Sequence, residues 1–205
     1  MGEMLRFRRK LGPPDFVRMN LPEDYWTAKV QGVSEKVRPA VVRYLRQIDR
    51  LVPDGVGLFV HGEPGVGKTG IAALVCKETR AAGYTVYFTS VWELRELIRA
   101  RVAFDDDTSM LRRCQDVDVL VLDGLQTEDA NDRVFGKREI AELIAHRARA
   151  RKVTVVTTQL GAAELRGSMK PVLDAAQGSM VHLTVEGPNL RRARQDELRK
   201  VVFGD

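Results

Sequence analysis

Apolar positions in the chain follow two patterns that take turns. From Arg38 to Leu51, the residues Val41, Val42, Leu45, Ile48 and Leu51 fall on one face of a helix, with Pro39 placed in its first turn. Pro53-Asp54-Gly55 then breaks the chain. Val56–His61 follows as a short apolar run, the signature of a buried strand, and Lys68–Ala82 returns to helical spacing. Tyr84–Thr89 is a second strand, rich in Val, Tyr and Phe. Ser90 and Glu93 form a capping box that opens a helix to about Val102. Asp105-Asp106-Asp107 marks a turn, and a short helix is expected over Ser109–Cys114. Val117–Leu122 is almost continuously apolar, as a central strand buried on both faces must be. Lys137–Arg151 is predicted helical, and Val153–Thr157 and Met180–Val185 are predicted strands. Strand followed by helix, repeated, implies an α/β fold with a five-stranded parallel sheet between helices.

The first loop of this pattern carries chemistry. Gly62-Glu63-Pro64-Gly65-Val66-Gly67-Lys68-Thr69 fits G-x-x-x-x-G-K-[ST] at every fixed position, after a predicted strand and before a predicted helix. Glycines in such a loop let successive backbone N–H groups turn toward an anion, and the helix N-terminus adds positive potential. Gly62, Glu63, Pro64, Gly65, Val66, Gly67, Lys68, Thr69 and Gly70 are therefore the expected nucleotide-binding set. Lys68 is expected to reach the β- and γ-phosphates of ATP, and the Thr69 hydroxyl to ligate Mg²⁺. A carboxylate ending an apolar strand is costly unless it binds something. Asp123, after Val119-Leu120-Val121-Leu122, is the expected second metal residue, acting directly or through water.

Composition narrows the class. The 205 residues are 44% hydrophobic and 30% charged, enough apolar material for a sizeable core. No apolar run approaches the ~18 residues that span a bilayer, and the basic start lacks the apolar segment of a secretion signal. Cys76 and Cys114 have no close cysteine or histidine partner, which fits a reducing cytoplasm better than a disulfide framework or a zinc site. His61, His146 and His182 are scattered and read as structural or surface residues. The net charge of +5 is concentrated partly at the ends, with Arg6, Arg8, Arg9 and Lys10 at one and Arg191, Arg192, Arg194, Arg199 and Lys200 at the other. Such ends suit either a polyanion or a solubilising surface. The expected organisation is a basic, loose arm over residues 1–15 and a core over 16–205, without a separate lid domain.

Taken in order, the phosphate loop, the Val119–Asp123 strand and Val155-Val156-Thr157-Thr158-Gln159-Leu160 resemble the P-loop AAA+ ATPases of the DnaC/DnaI helicase-loader and IstB transposition-helper group. Leu21-Pro22-Glu23-Asp24-Tyr25 is similar to the segment before that group's core. Ile144–Arg147 is similar to its helix leading to sensor 1, and Gly187-Pro188-Asn189-Leu190-Arg191 to its terminal Gly-x-x-x-Arg element. The resemblance covers roughly residues 16–195. It implies an ATP- and Mg²⁺-dependent protein that self-associates and acts on single-stranded DNA with a replicative DNA helicase or a transposase. It implies a base pocket before the first core strand, where Tyr25 and Trp26 could meet adenine. Residues 91–116 resemble the helical insert of the initiator and loader clade, with Arg95, Arg99, Arg101, Arg112 and Arg113 as phosphate contacts.

Three positions depart from the group. The acid usual after the Walker B aspartate is Gly124, with Glu128 or Asp129 the nearest substitutes. Sensor 1 is Gln159 rather than Asn, one methylene longer. The arginine-finger place falls near Asp174-Ala175-Ala176, with Arg166 and Lys170 the nearest cations. A finger is worth orders of magnitude in rate where one is used. Lys68, Asp123, Gln159 and Glu128 are then the catalytic set of a slow ATPase. An IstB-like helper and a hydrolysis-deficient nucleotide-binding adaptor are the alternatives to a loader.

Overall fold

The computed structural model describes residues 8–103, 109–126, 137–167 and 169–204. The expected Asp105–Asp107 turn and the acids Glu128 and Asp129 lie outside them, as do Arg6 and the side chains of Arg99 and Arg101. Strands β1 (Gly57–His61), β2 (Val86–Ser90), β3 (Val119–Leu125), β4 (Val153–Thr158) and β5 (Met180–Thr184) form one sheet in the order β2-β3-β4-β1-β5. Every pairing is parallel, as the alternation of strand and helix requires. The described helices are α1 (Pro13–Arg18), α2 (Arg38–Arg46), α3 (Ile48–Leu51), α4 (Lys68–Ala81), α5 (Val91–Ala103), α6 (Ser109–Asp116), α7 (Lys137–Arg149), α8 (Ala162–Arg166), α9 (Lys170–Ala176) and α10 (Leu190–Phe203).

Alternate residues of each strand feed two cores. Leu58, Val60, Val119, Val121 and Val155 pack with α2 and α4 on one face. Phe59, Leu120, Leu122 and Val156 pack with α5, α7 and α9 on the other. Burial on both faces is why Val119–Leu122 of β3 is an unbroken apolar run. The capping box forms as its spacing predicts: Ser90 N donates to Glu93 at 2.9 Å, and Glu93 N donates to Ser90 Oγ at 3.0 Å.

Several expectations change. The helix predicted over Arg38–Leu51 is two, because Gln47 leaves helical geometry (φ −100°, ψ 11°) and donates to Tyr44 O in a tighter turn of 3.0 Å. The arm is not loose from residue 8 onward. Arg8 pairs with Asp49 at 3.1 Å and with Glu78 at 2.7 Å, and the buried carboxylate of Asp15 takes both Arg9 and Arg80. These cations are neutralised within the fold rather than offered to a polyanion. The same segment covers the outer edge of β2: Phe88 N donates to Met19 O at 2.8 Å, and Asn20 Nδ2 donates to Phe88 O at 3.0 Å. In the insert, Arg95 is buried and Arg113 lies over the Tyr87 ring at 4.5 Å while donating to Arg18 O. Arg112 remains exposed.

One charged side chain is wholly inside. Arg147, on α7, has no solvent exposure. Its guanidinium donates to the carbonyls of Cys114 (2.7 Å), Gln115 (3.2 Å), Val117 (2.9 Å), Asp118 (3.4 Å) and Val153 (2.6 Å) and to Thr154 Oγ1 (3.0 Å). It closes the end of α6 and joins it to β3 and β4. Burial lowers its pKa to about 10.

Candidate nucleotide site

A parallel sheet brings the carboxyl ends of its strands to one edge, and ligands bind in the crevice there. Here the loop after β1, the end of β3 and the end of β4 converge on a cavity of about 400 Å³. Pro64, Gly65, Gly67, Lys68, Thr69 and Gly70 line it, together with Asp123, Gly124, Gln126, Thr157 and Gln159. Gly62 and Glu63 take part through their carbonyls, each accepting from Lys68 Nζ at 2.7 Å. Val66 turns away into the core.

Asp123 is gripped at both oxygens. Thr69 Oγ1 donates to Oδ2 at 3.2 Å, and Thr157 Oγ1 donates to Oδ1 at 2.6 Å. Thr157 in turn accepts from Gly124 N at 2.9 Å. Burial raises the pKa of Asp123, and the two hydroxyl donors and Lys68 oppose the rise. Burial lowers that of Lys68, with Arg191 adding to the effect and Asp123 opposing it. A carboxylate and a hydroxyl oxygen side by side are the hard donors that Mg²⁺ takes, so Thr69 and Asp123 fit that ion.

If these groups hold MgATP, binding needs Asp123 ionised and Lys68 protonated. The affinity for MgATP is therefore expected to fall on acidification from above the ordinary carboxylate range. It should fall on alkalinisation from below the ordinary lysine range. Calorimetric titration across pH checks both limbs; limbs at the ordinary values would contradict the assignment.

Gly124 has φ +79°, a left-handed conformation at a break in the β3–β4 register between Leu122 and Leu125. Among the described residues lining the cavity, Asp123 is the only carboxylate. Gln159 reaches the cavity, as does Gln126. In the expected finger region on α9, Lys170 is paired with Asp174 at 2.6 Å.

The chain's last described segment closes one side. Leu190 N donates to Gly65 O at 2.9 Å, and Asn189 Oδ1 accepts from Arg192 N at 3.1 Å to cap α10. Gly65 has φ +83°, and a Cβ there would lie 2.2 Å from Asn189 Oδ1. Arg191 lines the cavity beside Lys68 and Gln159. Tyr25, Ala28, Lys29, Gly32, Val33 and Leu74 add a less polar part of the lining. Trp26 is not part of it: its ring packs on Phe16 at 5.3 Å and its Nε1 donates to Leu21 O at 2.8 Å. Thr157, Gln126 and Arg191 were not in the expected site. Thr157 is one of several β-branched residues in a strand, whereas Arg191 carries a signal as the arginine of the Gly-x-x-x-Arg element at Gly187–Arg191.

The family of IstB-like ATP binding proteins matches residues 33–176, a span that includes the phosphate loop, Asp123 and Gln159. The chain belongs to the IstB-like ATP-binding family. No curated protein matches it. Solved structures with the same fold include the DnaC helicase loader, 24% identical with a TM-score of 0.68 over 80% of this chain and 100% of that one. DnaI is 21% identical with a TM-score of 0.64 over 83% of this chain and 94% of that one. The replication initiator DnaA, bound to AMPPCP and single-stranded DNA, is 19% identical with a TM-score of 0.64 over 88% of this chain and 56% of that one. This IstB-like chain thus has the AAA+ P-loop fold with an all-parallel sheet. None of its described helices is long and apolar enough to cross a membrane.

Proposed function

We propose that this IstB-like protein binds ATP with Mg²⁺ and uses the nucleotide chiefly as a switch while helping to place a replicative DNA helicase on single-stranded DNA. The observation that carries the switch reading is the phosphate end of the cavity. It offers Lys68, Thr69, Asp123 and Arg191 as holding groups, but Gly124 where an acid would orient water. Lys68 is held by loop carbonyls and can exchange them for phosphate oxygens, which are stronger acceptors. Mg²⁺, when bound, neutralises charge on the β- and γ-phosphates. Thr157 keeps Asp123 oriented through Oδ1, so that Oδ2 and the Thr69 hydroxyl would be the oxygens to hold Mg²⁺. Among the described residues lining the cavity, Gln159 and Gln126 can orient water but cannot take its proton, which supports slow turnover.

The loader reading is supported by the likeness to DnaC over the full length of that chain. The match to the IstB-like family favours a second reading, a transposition helper with the same nucleotide site. The test mixes the purified chain with the purified replicative helicase of its host, MgATP and a single-stranded oligonucleotide, then separates complexes by size. A ternary complex lost in Lys68→Ala is the expected result. A complex with the host's transposase in place of the helicase would overturn the loader reading. Rapid hydrolysis by the chain alone, abolished by Lys68→Ala, would contradict the switch.

A further inference from the structure

Lys77 is in α4, beyond the phosphate loop, and does not line the cavity. Its Nζ donates to Trp26 O at 2.8 Å and to Ala28 O at 2.7 Å. It stands 5.9 Å from the centroid of Phe16, whose ring packs on Trp26. Burial lowers its pKa, and the nearby charge of Lys29 adds to this. A half-buried ammonium held by two carbonyls forms strong, charge-assisted hydrogen bonds.

Those two carbonyls belong to the segment that supplies the less polar part of the cavity lining. Tyr25, Ala28, Lys29, Gly32 and Val33 line it together with Gly70 and Leu74 of α4. The segment's own structure is slight, two three-residue 3₁₀ turns at Glu23–Tyr25 and Val30–Gly32. Val33 packs with Leu74 in the apolar core, and Lys77, three residues after Leu74 and on the same side of α4, adds the polar tie to the segment. One lining residue, Ala28, carries a carbonyl that the lysine holds, and another, Leu74, is on the lysine's own helix.

We propose that Lys77 is a positioning residue for the nucleoside end of the site: it sets the gap between the 25–33 segment and α4 in which base and ribose bind, without touching phosphate. The proposal rests on the reading that the cavity binds ATP. It separates two tasks along α4, phosphate binding at Lys68 and nucleoside fit at Lys77.

The test uses the full chain and two probes with Mg²⁺, ATP and inorganic tripolyphosphate, which has the phosphates but no nucleoside. Calorimetry on wild type comes first: if neither probe binds, the ATP-binding reading fails and the proposal with it. Lys77→Met is expected to weaken ATP binding by about 10- to 100-fold and to leave tripolyphosphate within about twofold. Lys77→Arg, whose fork can meet two carbonyls, is expected to restore most of the ATP affinity. Equal losses for both probes would mark Lys77 as merely structural and overturn the proposal, as would an unchanged ATP affinity. If Lys77→Met does not fold, the same comparison is made with Lys77→Gln, which keeps one donor group for the carbonyls and is expected to show the same one-sided loss.

Discussion

Arg147→Met is expected to lower the stability of the fold by about 4 kcal/mol and the midpoint of thermal unfolding by roughly 10 °C. The reason is what the substitution leaves behind. Replacing a buried ion pair by apolar residues is often harmless because both partners go together. Here the partners are main-chain carbonyls and cannot be removed. Cys114 and Gln115 end α6, where the last carbonyls have no helical donor, and Arg147 supplies one to each. The carbonyls of Val117 and Val153 lose the same partner at 2.9 and 2.6 Å. Methionine fills similar space but donates nothing, so several buried acceptors lose their donor. Arg138 on the same helix is the control. It is exposed and paired with Glu142 among the described residues, and Arg138→Met is expected to leave the midpoint unchanged. Differential scanning calorimetry of the two variants decides it; a similar small shift in both would show that Arg147 is not the pin described.

Lys68→Ala is expected to weaken ATP binding by about 100-fold or more, some 3 kcal/mol, through loss of charge-assisted bonds to phosphate. The fold should survive, because Lys68 Nζ donates only to Gly62 O and Glu63 O of its own half-open loop. Circular dichroism should match wild type while calorimetry with MgATP loses its signal. Retained affinity would mean that backbone N–H groups and Arg191 hold the phosphates without the lysine. The same loss should appear for tripolyphosphate, the opposite of the pattern expected at Lys77.

The two variants also mark what was legible in the sequence. The phosphate loop is a spacing of fixed residue types, and Asp123 ends a run that is apolar on both faces, so both stand out along the chain. The parallel sheet follows from runs that alternate with helical spacing. Arg147 does not stand out, because its role depends on carbonyls of residues 114–118 and 153 that the fold brings to it. Lys77 and Thr157 are hidden for the same reason: their partners are distant in sequence, and three of the four are backbone atoms. The helix at Leu190–Phe203 had a local signal in the cap at Asn189, masked by the reading of that stretch as a basic tail. Charge alone does not show that Arg8, Arg9 and their acids pair in the folded chain.

That last helix has a mechanical consequence. Its first residue is bonded to the Gly65 carbonyl in the phosphate loop, and none of its 14 residues is buried. At ~1.5 Å per residue it is a rod of about 20 Å with one end hinged at the loop. A tilt of about 10° at the hinge sweeps the far end through about 3–4 Å, while the loop itself shifts by a fraction of that. Leu198, Val201, Val202 and Phe203 lie toward that far end and are exposed. A tilt about that bond would therefore move the apolar side chains several times farther than the residues beside it.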